Sequence, residues 1–123
     1  MTDKEQKLID RIRLAVQLAN EDEEGRKLAE RLLNGKIIVK VTDGIALNIL
    51  IKDHKLQFVD SPDHPRAVYE YGDIDSALKL LDKKMSTYAA TVHKQLKLMG
   101  LSTLNDAFDK ILNLAYEYAN GLR

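Results

Sequence analysis

Tyr69, Glu70 and Tyr71 place two phenols around one carboxylate. That is all that proton abstraction from a steroid-like ketone would require. The segment reads as a strand, however, and alternation puts Tyr69 and Tyr71 on a face that Glu70 does not share. His54, His64 and His93 are the metal-ligating type, but they lie too far apart in sequence to form a local ligand pair, and His54 and His64 fall in expected turns. Ser61, Ser76, Ser86 and Ser102 lack the Gly-x-Ser-x-Gly elbow of a hydrolase nucleophile, and Ser76 and Ser102 stand at capping-type positions. Lys83-Lys84, and Lys94 with Lys97, could form a basic rim for phosphate or carboxylate head groups, but solvated helix ends are the favoured account of them. No catalytic residues, metal ligands or cofactor are assigned, so function has to come from shape and apolar surface.

The elements that carry these residues follow from periodicity. Between Asp3 and Leu33, Leu8, Ile12, Ala15, Val16 and Ala19, then Leu28, Ala29 and Leu32, recur at helical spacing, giving two helices or one bent helix. The acidic run Glu21-Asp22-Glu23-Glu24 divides them as a solvated helix N-terminus, and Asn34-Gly35 marks the stop. Period-2 alternation predicts strands at 37–42, 45–52, 55–59 and 66–71, with a hairpin turn at Asp43-Gly44. Asp73 then caps a helix carrying Ile74, Ala77, Leu78 and Leu81. A second short helix carries Met85, Tyr88, Ala89 and Val92, followed by a strand at 96–99 and a closing helix capped by Ser102. Leu104, Phe108, Ile111, Ala115, Tyr118 and Leu122 form that helix's stripe, widened by Leu112 and Leu114. A short helix, an isolated strand and a closing helix after a run of strands can leave apolar side chains lining a space instead of filling a core, an order that suggests a lipid-sized cavity.

Composition narrows the classes. A chain of 123 residues forms one domain, expected over 1–123, with a helical segment at 3–33 and a sheet-and-helix core at 36–123. Nineteen basic residues balance 19 acidic ones, so no global field collects nucleic acid, and membrane contact is at most transient. Cysteine is absent, which removes disulfides and thiolate sites. The polar N-terminus has no secretory core and no apolar run reaches a spanning length, so the expected location is cytoplasmic; Gly121-Leu122-Arg123 is not a peroxisomal address.

The order of elements, with Val41-Thr42-Asp43-Gly44 closing the first strand and Lys94-Gln95-Leu96-Lys97-Leu98-Met99-Gly100-Leu101 late in the chain, resembles the sterol carrier protein 2 (nonspecific lipid transfer) domain over roughly residues 5–115. In that family the late strand reads Gly-Lys-Leu-x-Val-x-Gly-Asp. Here Lys94 stands for the first glycine, Gln95 for the lysine and Leu101 for the aspartate, and His54 occupies a turn position where the family has glycine. The resemblance implies an α/β fold: a five-stranded mixed sheet with about five helices, mainly covering one face, around an apolar tunnel for fatty acids, acyl chains or sterols. The lining it implies is Ile49, Ile51, Phe58, Tyr69, Tyr71, Leu81, Met85, Tyr88, Val92, Leu98, Leu104 and Phe108.

The expected function is therefore noncatalytic binding or transfer of a lipid, whether fatty acid, acyl chain, sterol or isoprenoid. The partner is that lipid or acyl ligand; no nucleic acid is involved, and oligomeric state is not readable. Two alternatives remain at this point. One is a cavity-bearing accessory domain presenting an acyl or isoprenoid thioester to a separate enzyme. The other is a small α/β interaction module with a filled core.

Overall fold

The computed structural model describes residues 2–100 and 102–123, the side chains of 102 and 103 excepted. Leu101, aligned with the family's aspartate, and the Ser102 hydroxyl expected as a cap lie outside this description. Helix α1 (Asp3–Glu21) opens with a capping box: Thr2 Oγ1 accepts from the Glu5 amide at 3.1 Å, and the Glu5 carboxylate accepts from the Thr2 amide at 3.1 Å. Its stripe of Leu8, Ile12, Ala15, Val16 and Ala19 is buried.

Asp22 does more than solvate a terminus. Its amide closes α1 on the Leu18 carbonyl, and its carboxylate caps α2 (Glu23–Ala29) by accepting from the Gly25 amide at 3.0 Å. Only glycine fits at position 25, because a Cβ there would lie 2.0 Å from the Leu18 carbonyl oxygen. Helix α2 ends before Asn34-Gly35, and Gly35 begins the first strand.

The strands are β1 (Gly35–Val41), β2 (Ala46–Lys52), β3 (Lys55–Val59), β4 (Pro65–Tyr71) and β5 (Leu96–Gly100), within a residue or two of the expected bounds. They form one sheet in the order β3-β2-β1-β4-β5. The β1–β4 pair is parallel and the others antiparallel, so the sheet is mixed. The Lys52–Lys55 pair is closed by Asp53 (φ 51) and His54 (φ 66), a two-residue hairpin with both central residues left-handed. That backbone explains why glycine suits position 54. Gly100 (φ 98) ends β5 where a Cβ would meet the Arg66 carbonyl oxygen at 1.9 Å.

Register sorts the two faces. Ile37, Val39, Ile49, Ile51, Ala67, Tyr69 and Tyr71 point to one side and are buried there. Above them lie α1, α3 (Ile74–Leu81), α4 (Thr87–Val92) and α5 (Ser102–Ala119), whose Leu104, Phe108, Ile111 and Leu114 are fully enclosed. Burying an aliphatic or aromatic side chain of this kind is worth about 1.5–3 kcal/mol, so the α5 stripe anchors the helical layer. The other sheet face alternates Lys36, Lys40, Asn48 and Glu70 with Ile38, Leu50 and Val68. The chain end is tied back as well: the Tyr118 hydroxyl donates to Asp22 at 2.5 Å, and Arg123 pairs with Glu24 and Glu117.

Candidate functional site

Tyr69 and Tyr71 leave β4 on the helix-covered face, opposite Leu98 and Leu96 of β5. They form the floor of a cleft of about 650 Å³, within the range of about 300–1,000 Å³ usual for small-ligand sites. Leu96 continues the floor, Leu80, Leu81 and Met85 form one wall, and Leu112 with Asn113 forms the other. Lys83, Lys84, Ser86, Thr87, Asp109 and Lys110 complete the lining.

Local sequence explains the opening. Helix α3 stops at a left-handed Lys83 (φ 58), with the Lys84 amide donating to the Lys79 carbonyl at 2.8 Å and the Lys83 amide to Leu80 at 3.1 Å. Helix α4 restarts at Ser86, whose hydroxyl accepts from the Ala89 amide at 3.1 Å. Ser86 is thus the N-cap of α4. The intervening turn lines the cleft together with Asp109, Leu112 and Asn113 of α5.

The polar groups separate by depth. The Tyr69 hydroxyl donates to the Asn105 carbonyl at 2.5 Å, and its ring meets Phe108 edge-on with centroids 5.5 Å apart. Tyr71 is 2% exposed, yet its hydroxyl has no hydrogen-bond partner among the described residues. Burial, reinforced by the Asp109 charge, pushes both phenols well above the ordinary tyrosine value, so neither serves as a base. Glu70 lies on the opposite face and accepts from the Thr42 hydroxyl at 2.8 Å. The tyrosine–carboxylate trio therefore does not assemble a proton-abstraction pair.

Asn113 donates through Nδ2 to Glu117 at 3.2 Å, while its buried Oδ1 has no partner among the described residues. Asp109 remains open to solvent on its outer side; loss of water on the inner side pushes its carboxyl upward, Asp106 adds to this, and Lys83 opposes it. The Lys83 ammonium also stands 5.3 Å from the Tyr116 ring centroid. Apolar surface thus lies deep and charge lies at the mouth, an arrangement that can hold a hydrocarbon chain with its polar end outward.

Of the residues expected to line a tunnel, Tyr69, Tyr71, Leu81 and Met85 are brought together in this cleft. Ile49, Ile51, Leu104 and Phe108 are enclosed in the packed core and do not reach it. Phe58, Tyr88, Val92 and Leu98 are exposed hydrophobic residues. Ala90 is buried in the core as well. Sequence reasoning missed Leu80, Leu96, Asp109 and Asn113 as lining residues. The available signal was the i, i+4 pair Asp109 and Asn113, which borders the apolar stripe of α5.

Among the described residues, no group of three or more His, Cys, Asp or Glu side chains could hold a metal ion, and no helix is long and apolar enough to cross a membrane. His54 and His64 lie in left-handed turns and His93 caps the end of α4.

The sequence matches no protein-family model and no curated protein. Its fold is similar to that of a solved structure described as a UbiJ-SCP2 ubiquinone synthesis protein, with a TM-score of 0.68 and 15% identity over 93% of this chain and 99% of that one. It is similar to sterol carrier protein 2 from Yarrowia lipolytica in its apo form, with a TM-score of 0.64 and 17% identity over 94% and 96% of the two chains. The sterol carrier protein domain 2 of Helicoverpa armigera gives a TM-score of 0.63 and 16% identity over 89% and 88%. With the mixed sheet order, the five helices and these likenesses together, the chain has the sterol carrier protein 2 fold.

Proposed function

We propose that this chain is a noncatalytic lipid-binding or lipid-transfer protein, acting as one unit over residues 1–123, that holds an acyl, sterol or isoprenoid chain in the cleft between β4–β5, the α3–α4 connection and α5. The observation that carries this reading is the cleft itself: about 650 Å³ floored by Tyr69, Tyr71 and Leu96 and walled by Leu81, Met85 and Leu112. The likeness to sterol carrier structures supports the same reading. Enclosing a chain of about 15 methylenes is worth roughly 12 kcal/mol at about 0.8 each. Association costs about 4–15 kcal/mol. Micromolar affinity is therefore within reach without a charged contact, and the lysines of the mouth add a place for a polar end.

A second reading is that the cleft presents an acyl or isoprenoid thioester to a separate enzyme. The likeness to a structure named as a ubiquinone synthesis protein favours it. Organic-solvent extraction of the purified protein followed by mass spectrometry tests both. A co-purified lipid supports the first reading and a thioester supports the second. An empty extract, combined with no thermal shift from fatty acids, acyl thioesters, sterols or isoprenoid alcohols, removes both and leaves an interaction module.

A further inference from the structure

Helix α3, helix α4 and helix α5 end in the same motif, with a left-handed residue after the cap and amides folded back on the last turn. In α5 that residue is Gly121 (φ 67), the type that adopts this backbone without strain. In α3 and α4 it is Lys83 (φ 58) and Lys94 (φ 61). A lysine there costs stability relative to glycine, and strain that persists at one kind of position points to a use for the side chain.

The two lysines bracket an apolar projection. Tyr88 and Val92 stand at i and i+4 of α4, 79% and 57% exposed, on a helix packed against edge strand β5. From Lys83 to Asn105 the chain has no acidic residue, although the protein as a whole is charge-balanced. Among the described residues, Lys83, Lys84 and Lys94 form no ion pair. Lys97 faces the other side of the sheet opposite Glu70 and is not part of this surface. Asp109 at the adjacent cleft mouth is balanced there by Lys83, Lys84 and Lys110, and Asp75 and Asp82, which share a recess with Lys84, are paired with Lys4 and Arg11.

We propose that Tyr88, Val92, Lys83, Lys84 and Lys94 form a docking surface for an anionic phospholipid bilayer, with the aromatic and aliphatic side chains entering the head-group boundary and the lysines meeting lipid phosphates. An amphipathic tyrosine beside a valine, set between cations, suits a medium that is apolar inside and anionic at its surface. Lys83 and Lys84 belong to both this surface and the cleft mouth, so docking brings the cleft opening to the lipid. The proposal goes beyond the cleft reading and does not depend on it.

Vesicle co-sedimentation of the full chain tests it, comparing phosphatidylcholine vesicles with an equimolar phosphatidylcholine–phosphatidylserine mixture. The wild-type protein sediments with the mixed vesicles, and added salt releases it. The Lys83→Gly/Lys94→Gly pair binds them about thirtyfold more weakly, each interfacial lysine being worth about fivefold, while melting no lower than wild type. Tyr88→Ala/Val92→Ala also weakens binding, with the helix preserved. Equal binding to both vesicle types, or wild-type affinity in the glycine pair, overturns the proposal. So does single-stranded RNA bound as tightly as vesicles and unaffected by the alanine pair. Protein that docks but extracts no lipid retains this proposal and removes the cleft reading, so the two fail separately.

Discussion

Tyr69 and Tyr71 leave the same face of β4, yet only Tyr69 is anchored: its hydroxyl donates to the Asn105 carbonyl of α5 at 2.5 Å, whereas Tyr71 turns into the cleft without a partner among the described residues. The first fastens the closing helix to the sheet, and the second is left for whatever enters. Tyr69→Phe is therefore expected to lower stability by about 1 kcal/mol, the usual net worth of such a bond, while keeping an aromatic ring in the cleft floor. Tyr71→Phe should leave thermal stability unchanged or slightly raised while changing ligand affinity. Thermal unfolding of the two variants checks this; equal losses in both would place the anchor elsewhere.

His54 occupies a left-handed hairpin position that glycine fills without strain. His54→Gly is expected to raise stability by about 1 kcal/mol, the relief of left-handed strain being partly offset by the extra freedom glycine gives the unfolded chain. Denaturant titration should move to a higher midpoint with unchanged slope. A lower midpoint would mean that the imidazole makes a stabilising contact that outweighs its backbone cost.

Three helix-start carboxylates contribute to the acid limb, and Asp109, held above its ordinary value, opposes them. Asp22 is held below its ordinary 3.8 by the Tyr118 hydroxyl first and the Gly25 amide next. Asp73 is held below 3.8 by the Ser76 amide, and Glu5 below 4.5 by the Thr2 amide. Lowered folded values mean stability that is present in full above about pH 4.5 and lost as pH falls through the folded values. Tyr118→Phe removes the largest cause acting on Asp22, so its melting temperature should lie below wild type at neutral pH and converge with it as pH falls through the lowered folded value of Asp22. A constant gap at all pH values would contradict the linkage.

The fold was legible because its signals are local. Alternation in Ile37, Val39 and Val41, the Asp43-Gly44 turn and the Asp73 cap each specify an element from a few adjacent residues. The cleft depends on strand order, which alternation does not encode. Phe58 and Leu98 point to the covered face as periodicity requires, but β3 and β5 are the sheet edges and leave them 40% and 38% exposed. Ile49 lies near the sheet centre and Phe108 beneath the α5 layer, so the same apolar character places them in packing. Tyr71, Leu96 and Leu112 meet only through the β4–β5 pairing and the course of α5. The left-handed lysines carry no sequence signature at all, since the motif that holds them ordinarily announces itself with glycine.

Ligand binding should also register as stability. A lipid that binds only the folded state adds about 2.7 kcal/mol at 100 times its dissociation constant. For a chain of this size that corresponds to a rise of several degrees in melting temperature. The effect should appear in delipidated protein below micelle concentrations and saturate with dose. A flat melting temperature across long-chain fatty acids, acyl thioesters, sterols and isoprenoid alcohols would deny the cleft a lipid.

The most direct test is equilibrium binding of a fluorescent long-chain fatty acid to the wild type and to Thr87→Trp, which places an indole at the cleft mouth from an exposed position at the start of α4. The account predicts micromolar binding by the wild type and at least about tenfold weaker binding by the variant, equivalent to ~1.4 kcal/mol, with both melting at the same temperature. Unchanged affinity in the variant, or no binding by the wild type, would contradict the assignment of this cleft as the lipid site.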